Sequence, residues 1–203
     1  ASGLKLGDDS CKVIAFTSPC GGVGSSTMAA ACALHYAARG KRTLYLNFER
    51  FGSSDAFFAA EGQFDMSGII FALKSKKTNL SMKMESCVKQ DPRGVYFYSQ
   101  SKVALDMLEL GADEIGRLIS EARLSGNYEY VIADLEFGMD RASLQILRQA
   151  GAIVWTCDGS EISNRKLARA YQALAILEQN AEVPLTARIA LIYNKFSNKS
   201  GTA

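Results

Sequence analysis

Short apolar runs recur along the chain and are separated by stretches with helical spacing. The runs are rich in β-branched and aromatic residues, and they are nearly continuous rather than alternating with polar residues. That pattern is typical of strands covered on both faces, as in a parallel sheet. It predicts strands at residues 13–17, 43–47, 95–98, 130–134, 152–156 and 188–193.

Between these runs, apolar residues return every three or four positions, which indicates amphipathic helices. The spacing predicts helices at about 25–40, 66–73, 105–110, 115–124, 143–149 and 162–177. Strands that alternate with helices predict one α/β domain, a doubly wound and mostly parallel sheet with helices on both faces. A chain of 203 residues, 48% of them hydrophobic, can bury one such core.

Charge and cysteine content narrow the function classes. The net charge of +2 is too small to indicate nucleic acid as a partner, so no specific nucleic-acid binding is expected. The five cysteines are scattered and form no C-x-x-C pair, which predicts a reduced, cytoplasmic protein rather than a disulfide or zinc scaffold. No apolar run reaches membrane-spanning length, and no signal-peptide pattern is present.

The most informative stretch is the loop at 18–24, Ser-Pro-Cys-Gly-Gly-Val-Gly, between the first strand and the first helix. Glycines allow backbone N–H groups to turn inward, and the helix start adds unpaired donors and positive dipole. This order predicts a phosphate cradle, with a tight turn that binds nothing as the alternative. The general phosphate-loop pattern ends Gly-Lys-Ser/Thr. Here Gly24 is followed by Ser25 and Ser26, so the lysine is missing.

The string SPCGGVGSST resembles the deviant Walker A loop of the MinD/ParA family of dimeric P-loop ATPases, usually Lys-Gly-Gly-Val-Gly-Lys-Thr-Thr. The resemblance places Cys20 at the lysine that crosses to the partner subunit's nucleotide. It places Ser25 at the lysine beside the β/γ phosphates and Ser26 at the hydroxyl that holds Mg²⁺. It implies ATP and Mg²⁺ as cofactors and a homodimer. The implied nucleotide-binding residues of the loop are Cys20, Gly21, Gly22, Val23, Gly24, Ser25, Ser26 and Thr27.

Residues that follow the other strands extend the resemblance, because ligands of such sheets lie beyond the carboxyl ends of the strands. Asn47 and Glu49 stand where the family has a first switch, which implies a place in the magnesium shell for Asn47 and a catalytic, water-orienting role for Glu49. An ordinary solvated loop is the alternative. Asp134 ends its strand as a Walker B carboxylate does, which implies a magnesium role. Residues 136–138 resemble a second switch.

The residues after two further strands match the motifs of the MinD/ParA family less specifically. Asp158 to Ser163 resembles the family's Pro-Glu-x-Ser turn, but simple N-capping of the next helix by Ser160 is the better interpretation. Asn194 stands where the family reads the adenine edge, and it is predicted to bind the base; a local turn is the alternative. The basic side chains of Arg165, Lys166 and Arg169 are interpreted as a solvated helix face, as are those at 74–77.

Loss of both lysines bears on catalysis, because phosphoryl transfer depends mostly on positioning and charge stabilisation. Backbone donors, Mg²⁺ and the helix dipole remain, so the sequence predicts ATP binding without efficient hydrolysis. Arg50 or Arg141, each beside a switch, or a partner chain could supply a replacement cation. Cys20 is interpreted as a neutral spacer rather than a redox sensor.

Within the family, the motif order most resembles the pilus-assembly branch of CpaE and TadZ. That resemblance implies a linker at 1–11 from an upstream receiver-like domain, and a P-loop domain at 12–203 that lacks its C-terminal end. It implies a localisation hub for pilus or secretion proteins, cytoplasmic and placed at a cell pole or the inner face of the membrane. The alternatives are an active ParA-type partitioning ATPase, a nucleotide-free scaffold, and a metabolic kinase or synthetase.

Overall fold

A seven-stranded sheet forms the centre of the protein, in the strand order β3-β4-β2-β5-β1-β6-β7. The computed structural model describes residues 11–52, 54–75, 79–103, 105–179 and 184–194. Every strand pair is parallel except β3 with β4, which is antiparallel. The strands are β1 (Lys12–Thr17), β2 (Thr43–Asn47), β3 (Lys89–Gln90), β4 (Tyr96–Phe97), β5 (Tyr130–Asp134), β6 (Ala152–Cys157) and β7 (Ile189–Tyr193).

Helices connect the parallel strands, as crossovers between parallel neighbours require. Among the described residues they are α1 (Ser25–Ala38), α2 (Ser54–Phe57), α3 (Met66–Ser75), α4 (Leu80–Cys87), α5 (Leu105–Leu108), α6 (Ala112–Leu124), α7 (Arg141–Gln149) and α8 (Glu161–Glu178). A short 3-10 helix, Thr186–Arg188, leads into β7.

Each face of the sheet has its own hydrophobic core, because successive strand residues point to opposite faces. On one face, Phe16, Tyr45 and Val154 pack with the small alanines of α1. On the other face, alternate strand residues such as Ala15 and Trp155 pack with α3, α4, α6, α7 and α8. This double cover explains the nearly continuous apolarity of β1, β2, β5 and β6, and the predicted fold class is confirmed.

Some elements differ from the sequence-based expectation. The predicted strand at 95–98 is only two residues long, and α2 and β3 are too short to show a period. α4 shows a weak one, since Leu80, Met84 and Cys87 are buried at spacings of four and three. Cys11, expected in the linker, is buried directly before β1. The rest of the predicted linker, and the C-terminal part of the predicted domain beyond 194, lie outside the described residues.

Among the described residues, no helix is both long enough and apolar enough to cross a bilayer.

A buried carboxylate holds the β3–β4 turn against the segment after α2. Asp91 is 3% exposed and accepts hydrogen bonds from the backbone N–H of Ala59 (3.1 Å) and from Arg93 through its backbone N–H (2.9 Å) and its Nε (2.8 Å). The hydrogen bonds from the Arg93 side chain lower the pKa of Asp91 to about 2. The ionised form is therefore the one that the fold stabilises.

We expect Asp91→Asn to lower the free energy of unfolding at pH 7 by about 1–3 kcal/mol, because the N–H donors of Ala59 and Arg93 lose a charged acceptor. The folded-state pKa lies below the unfolded one, so this stabilisation is present above about pH 4 and is lost as the pH falls towards 2. Denaturant titrations from pH 7 to pH 3 should show the gap to wild type closing below pH 4. Asp113→Asn, at an exposed position of α6, is the control. A gap that does not change with pH would contradict the role of the charge.

Candidate functional site

The loop between β1 and α1 is fixed at both ends by hydrogen bonds to distant strands. The Ser18 hydroxyl donates to the carbonyl of Thr156 in β6 (2.6 Å) and accepts from the Cys20 N–H (2.9 Å). Past the middle of the loop, the Asn194 side-chain amide donates to the carbonyl of Val23 (3.1 Å). The loop conformation is therefore set by β6 and by the end of β7 as well as by its own sequence.

Two glycines of this loop adopt left-handed backbone conformations. Gly22 has φ +72° and Gly24 has φ +80°, values that side-chain-bearing residues rarely adopt. A Cβ added at Gly22 would meet no described atom within 4 Å, so the backbone is open to a ligand there. Gly22 and Gly24 are needed because the loop backbone has positive φ at both positions. The missing side chain at Gly22 also lets a ligand approach the backbone closely.

The start of α1 has the properties of an anion site. Gly24 is the N-cap residue and offers no side chain to cap the helix, and no acidic residue lies in the first turn. The first intrahelical hydrogen bond runs from the Met28 N–H to the Gly24 carbonyl (3.0 Å). The preceding N–H groups are left for a ligand, at the positive end of the helix dipole.

A cavity of about 420 Å³ opens directly above this turn, within the range of small-molecule sites. Among the described residues that line it, two are acidic and none is basic. They are Ser18, Cys20, Gly21, Gly22, Val23, Gly24, Ser25, Ser26, Thr27, Glu49, Leu135, Glu136 and Phe137. The structure therefore brings together the loop, the first switch and the second switch that the sequence predicted.

Asp134 lies fully buried at the end of β5, beside Asn47 at the end of β2. Its Oδ2 accepts a hydrogen bond from the Tyr45 hydroxyl (2.6 Å), whereas its Oδ1 has no hydrogen-bond partner among the described residues. Burial raises the pKa of Asp134 to about 6; the Tyr45 hydrogen bond opposes that shift and the charge of Glu49 adds to it. A buried carboxylate oxygen without a partner suits a cation or its bound water.

Ser26 and Glu49 are joined directly across the cavity. The Ser26 hydroxyl donates to Oε1 of Glu49 (2.7 Å). Asn47 supports this arrangement, since its Oδ1 accepts from the Glu49 N–H (2.9 Å) and its Nδ2 donates to the Tyr45 hydroxyl (3.3 Å). Oxygen donors from Ser26, Asn47 and Asp134 fit a magnesium site in chemistry, and their assignment to Mg²⁺ stays a prediction.

The two residues at the lysine positions differ in surroundings. The Cys20 side chain is 5% exposed and packs against α8, where its sulfur accepts a hydrogen bond from the Ser163 hydroxyl (3.0 Å). Cys20 nevertheless belongs to the cavity lining. The Ser25 hydroxyl is buried without a hydrogen-bond partner among the described residues. Neither position offers a cation to an anionic ligand.

The remaining predicted residues take several positions. Ser160 caps α8, accepting from the Ser163 N–H (3.2 Å), so the capping interpretation is confirmed. Asn194 ties the loop to β7, and its contact with adenine stays a prediction. Arg50 is 66% exposed on its side chain, with its Nε 3.9 Å from Oε2 of Glu136, while Arg141 begins α7. The Lys76 and Lys77 positions lie outside the described residues.

Two residues of the site were missed by sequence reasoning. In the sequence, Tyr45 belongs to an ordinary apolar strand, although period two along β2 places it on the same face as Asn47, two positions before the strand end. Ser163 stands in the sequence only as the last residue of the turn motif that begins α8. Nothing in the sequence signals its contact with Cys20, 143 positions earlier.

Comparisons with known proteins agree with this architecture. No protein-family model and no curated protein sequence matches the chain. Among solved structures, a ParA family ATPase from Chlorobium tepidum TLS aligns with a TM-score of 0.72 at 19% identity, over 92% of this chain and 74% of its own. The MinD cell division protein of Aquifex aeolicus gives 0.58 at 20% identity, over 90% and 69%.

A third solved structure, the kinase domain of the Escherichia coli tyrosine kinase ETK, gives a TM-score of 0.66 at 15% identity, over 98% of this chain and 72% of its own. At such identities the likeness establishes the fold alone. The chain has the mostly parallel α/β fold of these three proteins.

We expect Tyr45→Phe to lower the free energy of unfolding at pH 8 by about 1–3 kcal/mol, because ionised Asp134 loses its hydrogen bond. The folded pKa of Asp134 lies above its ordinary value, so wild-type stability falls as the pH rises from about 4 to 6. In Tyr45→Phe, the fall in the free energy of unfolding should extend to higher pH. The variant should therefore be destabilised less, relative to wild type, at pH 5 than at pH 8. Denaturant titrations at pH 5 and pH 8 measure this, with Tyr171→Phe on the exposed part of α8 as control. Equal losses at both pH values would contradict it.

Proposed function

We propose that the chain is a MinD/ParA-like nucleotide-binding protein that holds ATP with Mg²⁺ and hydrolyses it poorly. The observation that carries the proposal is the uncapped start of α1, reached through left-handed Gly22 and Gly24 and facing a cavity. Backbone N–H groups and the helix dipole suffice to hold phosphate in the ground state. The loop residues 20–27 are the proposed phosphate contacts, and Asn194 the proposed base contact.

Magnesium fits the oxygen groups next to that cradle. The Ser26 hydroxyl, the Asp134 carboxylate and the Asn47 amide are the residues that would hold it or its bound waters. When bound, the ion would neutralise charge on the phosphates. The buried Oδ1 of Asp134, which has no partner among the described residues, supports this assignment.

Weak hydrolysis follows from what the cavity lining lacks. A cation that stabilises the charge of a transferring phosphoryl group contributes about 10³–10⁵ in rate in related systems. The described lining residues include none, since Cys20 and Ser25 take the lysine positions. In addition, the carboxylate of Glu49 is engaged by Ser26, away from a role as water-orienting group.

Finer assignments rest on the resemblance of the motifs alone. By the order of its switches, the protein is proposed to belong to the CpaE/TadZ branch, to form a homodimer and to act as a localisation hub for pilus or secretion proteins. The proposed location is cytoplasmic, at a cell pole or at the inner face of the membrane. The small net charge of +2 supports a protein partner rather than nucleic acid.

The alternatives each conflict with an observation. An active partitioning ATPase, or a kinase with this fold, would need charge stabilisation that the described cavity lining does not provide. A scaffold without nucleotide has no use for an open, uncapped helix start beside a buried carboxylate oxygen.

Titration calorimetry with ATP and Mg²⁺, beside a steady-state phosphate-release assay, tests the proposal. We expect saturable binding with negligible release. Trp155, the single tryptophan, packs edge-on against Phe137 of the cavity wall (5.8 Å), so its fluorescence provides a second binding signal.

Gly22→Val should abolish binding, because the residue needs positive φ at that position. Gly126→Val, at another left-handed glycine remote from the cavity, is the matched control. Rapid phosphate release would overturn the claim of impaired catalysis, and absence of binding would favour the scaffold.

Restoring a cation tests the same idea from the opposite direction. Ser25→Lys places an ammonium group at the start of α1, where the resemblance expects one beside the β/γ phosphates. We expect ATP hydrolysis to rise by about tenfold or more over the background rate, because transition-state charge gains a partner. Ser81→Lys on α4 controls for added charge. An unchanged rate would mean that the switches also prevent turnover.

A further inference from the structure

The cradle is acidic where phosphate-binding loops are ordinarily basic. Of the described residues that line the cavity, Glu49 and Glu136 are acidic and none is Lys, Arg or His. Arg50 approaches Glu136 with its Nε 3.9 Å from Oε2, and both side chains are more than half exposed, so solvent screens this pair. Asp134 adds a third carboxyl group close behind the lining, within electrostatic range of Glu49.

A second observation points to a cation in this place. Asp134 is fully buried, and Tyr45 occupies only its Oδ2, so Oδ1 stays without a partner among the described residues. The Ser26 hydroxyl gives its hydrogen to Glu49. Its oxygen lone pairs are thereby left for a metal ion, as in sites where a second carboxylate orients a ligand group.

Resting on the proposed function, we propose that the cradle binds a nucleoside triphosphate only as its magnesium complex, and that Glu49 sets this requirement. A free triphosphate carries several negative charges into a cavity whose described lining already holds two carboxylates. The start of α1 contributes the equivalent of only about half a positive charge. A divalent ion, which the oxygen groups of Ser26 and Asp134 would hold, would neutralise part of the phosphate charge and so relieve that repulsion.

This assigns Glu49 a role different from water orientation. It is a positioning residue that turns the Ser26 hydroxyl and repels nucleotide without metal. In a loop with both lysines, side-chain cations would offset such a carboxylate, and binding without metal would be tolerated. Metal dependence is therefore a consequence of Cys20 and Ser25 together with Glu49.

Equilibrium binding of ATP to the full chain, in excess MgCl₂ and in excess EDTA, tests the proposal by calorimetry and Trp155 fluorescence. We expect affinity without metal to be lower by about 100-fold or more, as like charges at short range in a half-buried cavity imply. Glu49→Gln should reduce the ratio of the affinities with and without Mg²⁺ by about tenfold, chiefly by strengthening the binding of free ATP. Glu61→Gln, at an exposed position outside the cavity lining, should leave the ratio unchanged.

A second variant tests the proposal even if Glu49→Gln fails to fold. Ser25→Lys adds a cation to the same cavity, so it should also reduce the ratio of the ATP affinities with and without Mg²⁺. Equal affinity of wild type with and without Mg²⁺ would overturn the metal requirement, while the proposed function would stand. A ratio that Glu49→Gln leaves unchanged would overturn the role of Glu49. Absence of binding in both buffers would overturn the proposed function itself.

Discussion

The unsatisfied N–H groups in the first turn of α1 are the constraint on which the site depends. A helix start needs partners for its first donors, and glycine at the N-cap supplies none. Where a serine or aspartate stands at the N-cap, its side chain accepts a hydrogen bond from one of these N–H groups. Here the chain leaves it open and surrounds it with strand ends, so an anion is the natural partner for these donors.

The position of β1 in the sheet explains why the other groups meet there. β1 lies between β5 and β6, and β2 follows β5, so the carboxyl ends of the central strands share one edge. Asp134 and Asn47 are register partners at that edge, and Glu49 follows two residues later. The same parallel arrangement that buries the strands on both faces therefore assembles carboxylates, an amide and a hydroxyl around the open helix start.

Much of this could be predicted from the sequence, because the signals are local. Continuous apolarity gave the sheet, and the glycines of the loop indicated the cradle. The position of Asp134 at the carboxyl edge of the sheet could be predicted because it ends an apolar strand. The hydrogen bonds from Tyr45 to Asp134 and from Ser26 to Glu49 could not be predicted, since they depend on strand order and on side-chain rotamers. The contact of Cys20 with Ser163 joins residues far apart in the chain, and no period or motif encodes it.

The anchoring of the loop has a mechanical consequence. The Asn194 amide donates to the Val23 carbonyl, and the Cys20 sulfur accepts from Ser163 on α8, so the end of β7 and the first turn of α8 both hold the loop in place. A ligand that changes the loop conformation must also strain the Asn194–Val23 and Cys20–Ser163 contacts. A displacement of the loop would therefore also move the end of β7 and the first turn of α8.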